Sequence, residues 1–394
     1  MSPFADALRL VAEGRETFRF DTFGDEAFWG ETLRLHEALA QTTPRRALEL
    51  GLKIDADALP RRLASDLRRG RVNLDDPANT VALLKQDAVV GITGIFDPAG
   101  RLVSVGTQCA LCHSSVDDSL LPGVGRRLDG WANRDLDVGQ IIASAPDLSV
   151  FVRLLGVDAD AVRAVLRGWG AGKFDASLLL DGKTEGPNGS SAVLIPPAFG
   201  LAGINLHTWT GWGSVPHWNA LVANLEMGGQ GTFFDRRLDD AAQFPIAARE
   251  GFGNVRRTPD VVTAKLPALH FYQLALRAPR PPRNSFDAGA ARRGQDVFAQ
   301  RCAVCHVPPI YTEPGHNLHA PSDIGIDAFQ SERSPAHGYR TSPLAGLWTH
   351  GKGGYYHDGR FPTLEAVVGH YESALGFTLS DGERSDLVEF LKSL

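Results

Sequence analysis

The chain has 394 residues, a length that suits two or three domains. Hydrophobic residues make up 43% and charged residues 22%, ordinary values for a globular protein in water. The net charge is −6 and no basic run stands out, which excludes a nucleic-acid binder of the usual kind, and no apolar run approaches the roughly 20 residues that a membrane span needs.

Residues 1–100 hold no metal-binding motif and read as a mostly helical extension packing on the segment that follows. Thr32 to Leu39 has helical apolar spacing. So has Leu59 to Leu67, where Leu59, Leu63 and Leu67 recur every four residues and Pro60 suits a first turn. Val89 to Ile95, the turn Asp97-Pro98-Ala99-Gly100, and Leu102 to Val105 predict a short hairpin. His36 reads as a surface or core histidine. The opening residues Met1 to Asp6 are not a signal peptide.

The hairpin leads into Cys109-Ala110-Leu111-Cys112-His113. Two thiols three apart can each add to one vinyl group of a haem, and the next His is placed to bind the iron from one face. The pattern recurs as Cys302-Ala303-Val304-Cys305-His306, and the two copies use all 4 cysteines. Two disulfides or a four-thiolate zinc site would not require a His after each pair. Two c-type haems are therefore expected, with His113 and His306 as proximal ligands. Such haem is attached outside the cytoplasm, so a periplasmic or secreted protein is expected, its leader already removed.

Between the motifs, the Gly/Asp-rich stretch 117–139 is expected to wrap a haem edge, with Trp131 packed on the porphyrin. Asp147 to Gly156 and Asp158 to Trp169 read as helices, the second carrying Val162, Val165, Leu166 and Trp169 as one apolar stripe. Residues 181–190 are turn-rich and include the sequon Asn188-Gly189-Ser190. His207, Trp209, Trp212, His217, Trp218, Glu226 and Met227 then crowd into 21 residues, as in a core or a cofactor wall. Residues 277–284 form a Pro/Arg linker. Asp287 to Gln300 predicts a helix with Gly294 and Phe298 on one face. Ser380 and Glu383 form a capping box before a helix with Leu387, Phe390, Leu391 and Leu394 on one side. A first helix crossing a last helix beside a haem is the cytochrome c arrangement. The expected fold is mainly α, with two cytochrome c-like haem domains at 101–276 and 285–394 behind the extension 1–100.

Tyr339 to Trp348, Tyr355-Tyr356-His357-Asp358-Gly359-Arg360 and Thr363 to Tyr371 resemble the di-haem cytochrome c peroxidase, MauG and rubber-oxygenase superfamily. Trp209-Thr210-Gly211-Trp212-Gly213 and Asn224-Leu225-Glu226-Met227-Gly228 look like two further segments of it, with a spacing three residues shorter than in the peroxidases. Residues 1–108 find no counterpart.

The resemblance implies that the first haem is reactive and the second stores or relays electrons. Trp209 would be an electron relay. Glu226 would be the distal acid/base that moves a proton between peroxide oxygens, with His217 as a second candidate. The second haem's sixth ligand would fall at Tyr371, where peroxidases have Met and MauG-like proteins Tyr; His357 and His370 are the alternatives. The usual family role of His357 is a hydrogen bond to a haem propionate. A calcium ion would take Asn188 and the carbonyls of Lys352 and Gly354. Resting peroxidases supply a distal His soon after the first motif, whereas no histidine lies between His113 and His207 here. The first iron is thus expected to keep an open position. The function implied is a periplasmic di-haem oxidoreductase activating hydrogen peroxide or dioxygen. A small redox protein would be its electron donor, and an organic molecule or a protein its substrate. The alternatives are an electron-transfer cytochrome with both irons six-coordinate, and a rubber-oxygenase-like dioxygenase.

Overall fold

A computed structural model describes residues 2–313 and 315–394. The described chain is mainly helical, as expected, and its strands form only two-stranded pairs. Two compact units are present, Met1–Ala198 with Asn219–Gln273, and Phe199–Trp218 with Leu274–Leu394. Residues 199–218, read above as part of the first haem segment, belong to the second unit.

In the first unit, helix α1 (Pro3–Phe20) starts where the Ser2 hydroxyl accepts the Ala5 N–H and Pro3 takes the first turn. Halfway along it, Gly14 lies so close to Ala268 and Tyr272 that any side chain there would collide. That contact joins α1 to a helix at Leu266–Ala275. Both helices then converge on Asp129, whose carboxylate accepts Arg19 Nε at 2.6 Å, the Tyr272 hydroxyl at 2.5 Å and the Ser114 hydroxyl at 2.9 Å. Ser114 directly follows the first Cys-x-x-Cys-His motif, so the extension buttresses that motif.

The hairpin forms as expected. Strands β1 (Ile92–Phe96) and β2 (Leu102–Thr107) pair antiparallel from Ile92–Thr107 onward. The helix after Leu59 runs from Arg61 to Arg68, with Pro60 at its N-cap. Asp158 caps Ala159–Arg167, and Val162, Leu166 and Trp169 of its stripe are buried. One expectation needs correction. Thr32 to Leu39 is not one helix, because a π-helical turn ends at Thr32, Arg34 is left-handed (φ 56°), and an α-helix restarts at Leu35. Residues two apart point to different sides of a continuous helix. The break lets Leu33 and Leu35 both reach the core, at 0% and 2% exposure.

In the second unit, α2 (Ala288–Arg301) is capped by Asp287, and α3 (Asp381–Lys392) opens with the expected Ser380–Glu383 box. They cross at Gly294, where a side chain would strike the backbone of Asp386. Phe298 fills the angle between them, 4.9 Å from Phe390 and 5.7 Å from Tyr311. The Arg293–Asp386 pair beside the crossing has a well-exposed arginine and contributes little; the buried aromatic contacts hold the helices.

Candidate haem sites

Cys109 precedes a single helical turn, Ala110–His113. Gly91, from the start of the hairpin, has φ 84° and lies against the Leu111 backbone, and its carbonyl accepts the Gln108 N–H at 3.0 Å. Only glycine allows that approach. A loop clasps the turn from the other end: Gly130 N–H donates to the His113 carbonyl and Asn133 N–H to the Cys112 carbonyl, each at 2.8 Å. The Asn133 amide also donates to the Gly51 carbonyl at 2.9 Å, which ties the motif to the extension.

His113 Nδ1 lies 3.1 Å from the Pro196 carbonyl oxygen. Burial pushes the ring's pKa down to about 4, so it is neutral. A neutral ring donating from Nδ1 carries its lone pair on Nε2, the tautomer that binds iron. The Cys109 and Cys112 thiols are not in a disulfide, and burial pushes both up to about 12. Added to burial, the charge of Glu226 raises Cys112, which sets that carboxyl near the motif.

Glu226 ends a π-helical turn, Val222–Glu226. Such turns shift the side-chain register and recur at functional sites. The residue is partly exposed, but its Oε1 is buried and has no hydrogen-bond partner. Burial first, and the charge of Asp175 second, raise its pKa to about 8.

The second motif repeats the local design. Cys302 caps α2, its N–H donating to the Phe298 carbonyl at 2.8 Å, and His306 N–H donates to the Cys302 carbonyl at 2.9 Å. His306 Nδ1 lies 3.0 Å from the Tyr311 carbonyl, and burial lowers the ring's pKa. Cys302 and Cys305 form no disulfide, and burial raises Cys302 to about 11 and Cys305 less. Each site thus offers two unpaired thiols and one histidine fixed through Nδ1. That donor set fits covalent haem with one axial nitrogen, which the resemblance also implies.

Near the second motif, Tyr371 projects from a helix at Leu364–Leu375. Burial raises its pKa, the Tyr356 hydroxyl lowers it through a hydrogen bond, and the charges of Cys305 and Cys302 raise it further. Its hydroxyl therefore lies within the field of both cysteine sulfurs of the second motif. His370 Nε2 is held by the Ile324 carbonyl at 2.8 Å, and its ring packs on Phe361. His357 is buried and stacks on Tyr339 at 5.3 Å. Among the described residues, the one group of metal-ligand type is Cys305, Glu313 and His319. His319 Nε2 and Glu313 are 2.5 Å apart and share Thr341, so they form a polar clasp beside Cys305.

The remaining expected residues divide between the units. Trp209 is half-buried in the second unit, where its carbonyl accepts the Arg340 N–H at 3.2 Å. Trp212, His217 and Trp218, also in that unit, form a ring cluster with centroids 5.0 to 6.0 Å apart. Glu226 belongs to the first unit. The expected calcium at Asn188, Lys352 and Gly354 finds no support. The Pro196 and Tyr311 carbonyls escaped the sequence reading because a backbone acceptor has no side-chain signature. No described helix is long and apolar enough to cross a membrane.

The chain matches no protein-family model. It is 33% identical over 122 residues to the methylamine utilization protein MauG of Methylorubrum extorquens, covering 26% of this chain and 34% of that protein. The chain thus spans about a third of that relative's length. Among solved structures, hydrazine synthase of Kuenenia stuttgartiensis is 20% identical over 58% of this chain and 78% of its own, with a TM-score of 0.32. A MauG-like protein associated with microbial copper homeostasis is 18% identical over 53% and 75%, with a TM-score of 0.35. Scores this low do not define the fold; the sequence identity to MauG carries the relationship. Over those 122 residues the chain is similar in sequence to MauG.

Proposed function

We propose that this chain is a di-haem c-type oxidoreductase that activates hydrogen peroxide at the Cys109–Cys112–His113 site. The observation that supports this most is Glu226, a carboxyl with an unpartnered buried oxygen whose charge acts on Cys112. Haem bound there supplies an iron able to take a peroxide oxygen. The Pro196 carbonyl would orient His113 to hold that iron. Glu226, as carboxylate, takes the proton from the incoming oxygen of peroxide and delivers it to the departing one, which leaves as water. Its pKa near 8 makes the carboxylate the minor form at neutral pH, so the reaction should quicken as pH rises through about 8. His217 is a second proton carrier.

The Cys302–Cys305–His306 site would hold the electron-storing haem in this reading, with Trp209 as the relay and Tyr371 as a second protein ligand. A phenolate, being a hard anion, favours the more oxidised iron. The Ile324 carbonyl on His370 and the stacked position of His357 weigh against those alternatives. A small redox protein donates the electrons, an organic molecule or a protein is oxidised, and the protein works in the periplasm or outside the cell. The dioxygen alternative asks for a distal pocket without an acid, and Glu226 weighs against it. The test is stopped-flow mixing of fully ferric protein with peroxide. A spectral change within seconds, without prior reduction, is expected; none would reject the proposal.

A further inference from the structure

Arg134 is only 7% exposed, and its guanidinium makes no ion pair or hydrogen bond among the described residues. Its Nε and Nη1 are buried without a partner. Burial alone lowers its pKa, to about 10, so it remains a cation, and no acid side chain acts on it. The contrast with Arg127 is direct, since that buried guanidinium has the Asp55 carboxylate at 2.6 Å. A buried charge without a counter-ion is strongly disfavoured unless an anion arrives. Glu226 is not that anion, because the charge acting on it is Asp175.

The backbone around Arg134 ties it to the first motif. It follows Asn133, which is bonded to the Cys112 and Gly51 carbonyls. Its backbone lies against Gly172 (φ 73°), where an added side chain would come within 2.7 Å of the Arg134 carbonyl. The Gly172 carbonyl in turn accepts the Ile195 N–H at 2.9 Å, one residue before the Pro196 carbonyl that holds His113. Arg134 thus rides on the same backbone cage as the proximal histidine.

We infer that Arg134 binds a carboxylate of the tetrapyrrole attached at Cys109 and Cys112, a haem propionate. The inference rests on the haem reading of that motif. A guanidinium suits the task because it stays charged when buried and can grip both carboxylate oxygens. Arg134 is then a positioning residue, fixing the tilt of the first haem about His113.

The test is resonance Raman spectroscopy of the purified holoprotein with Arg134→Lys and Arg134→Gln, reading the propionate bending bands. One haem's band should shift in both variants and the other's should stay. In Arg134→Gln the shifted band should also become pH-sensitive between about pH 5 and 8, since a buried carboxylate without its cation takes up a proton. In Arg134→Lys it should remain pH-insensitive. Bands unmoved in both variants, with both haems attached by intact mass, would overturn the inference. If Arg134→Gln does not fold, an unmoved band in Arg134→Lys alone overturns it. A native protein whose mass shows no haem on Cys109 and Cys112 would instead sink the haem reading itself.

Discussion

The two Cys-x-x-Cys-His sites share a motif and a histidine clamp, yet they sit in different surroundings. In the first, Leu111 between the cysteines is half-buried. In the second, Val304 between the cysteines is 81% exposed. Near the first lies an acid with a raised pKa, Glu226; near the second lies a phenol, Tyr371. In the proposed reading, the proton-holding acid near the first motif suits bond-breaking chemistry, and the more exposed turn of the second suits electron exchange. The attachment sequence alone therefore does not assign the roles; the proposed function takes them from the surroundings.

The largest expected effect separates the sites outright. Cys109→Ser with Cys112→Ser should remove one haem by intact mass and abolish the fast reaction with peroxide. Cys302→Ser with Cys305→Ser should remove the other haem and spare that reaction. The reverse outcome would exchange the roles. Next in size, Glu226→Gln should slow the peroxide reaction by about 10²- to 10⁴-fold, the usual range for a lost acid/base. It should also flatten the rise in rate through about pH 8. A rate within about twofold of the native one, by the stopped-flow assay, would remove Glu226 from the reaction.

Gly294→Val probes the second site's scaffold. The side chain would strike Asp386 at the crossing of α2 and α3, and overpacking of this kind costs about 1–3 kcal/mol or more. Thermal unfolding followed at the second haem's absorption should move down, and an unmoved transition would mean that the helices do not cross there. Tyr371→Phe should then change the second haem's spectrum while haem content holds, and an unchanged spectrum would pass the ligand role to His357.

The smallest effect concerns Asp25, buried in the extension and bonded to Thr107. Burial raises its pKa from 3.8 to about 8. Between those values the folded protein holds a proton that the unfolded chain has released, so stability should fall as pH rises across that window. Asp25→Asn should flatten the slope of melting temperature against pH, and an unaltered slope would contradict the assignment.

Much of this was legible in the sequence. The two Cys-x-x-Cys-His motifs, the capped helices after Asp158, Asp287 and Ser380, and the hairpin all have local signatures, and each forms. What escaped depends on distant partners. Nothing local shows that Arg134, in a Gly/Asp-rich loop, is buried. The break at Arg34 and the π-turn that ends at Glu226 are register shifts set by packing, which an apolar repeat of 3.6 does not display. The grouping of residues 199–218 with the second unit likewise follows from contacts far along the chain.

The central claim is that only the first iron keeps a free position. Electron paramagnetic resonance of the fully ferric holoprotein reads this directly. One high-spin and one low-spin haem are predicted, with the high-spin signal lost in Cys109→Ser with Cys112→Ser. Two low-spin haems would contradict the claim and make the protein an electron carrier.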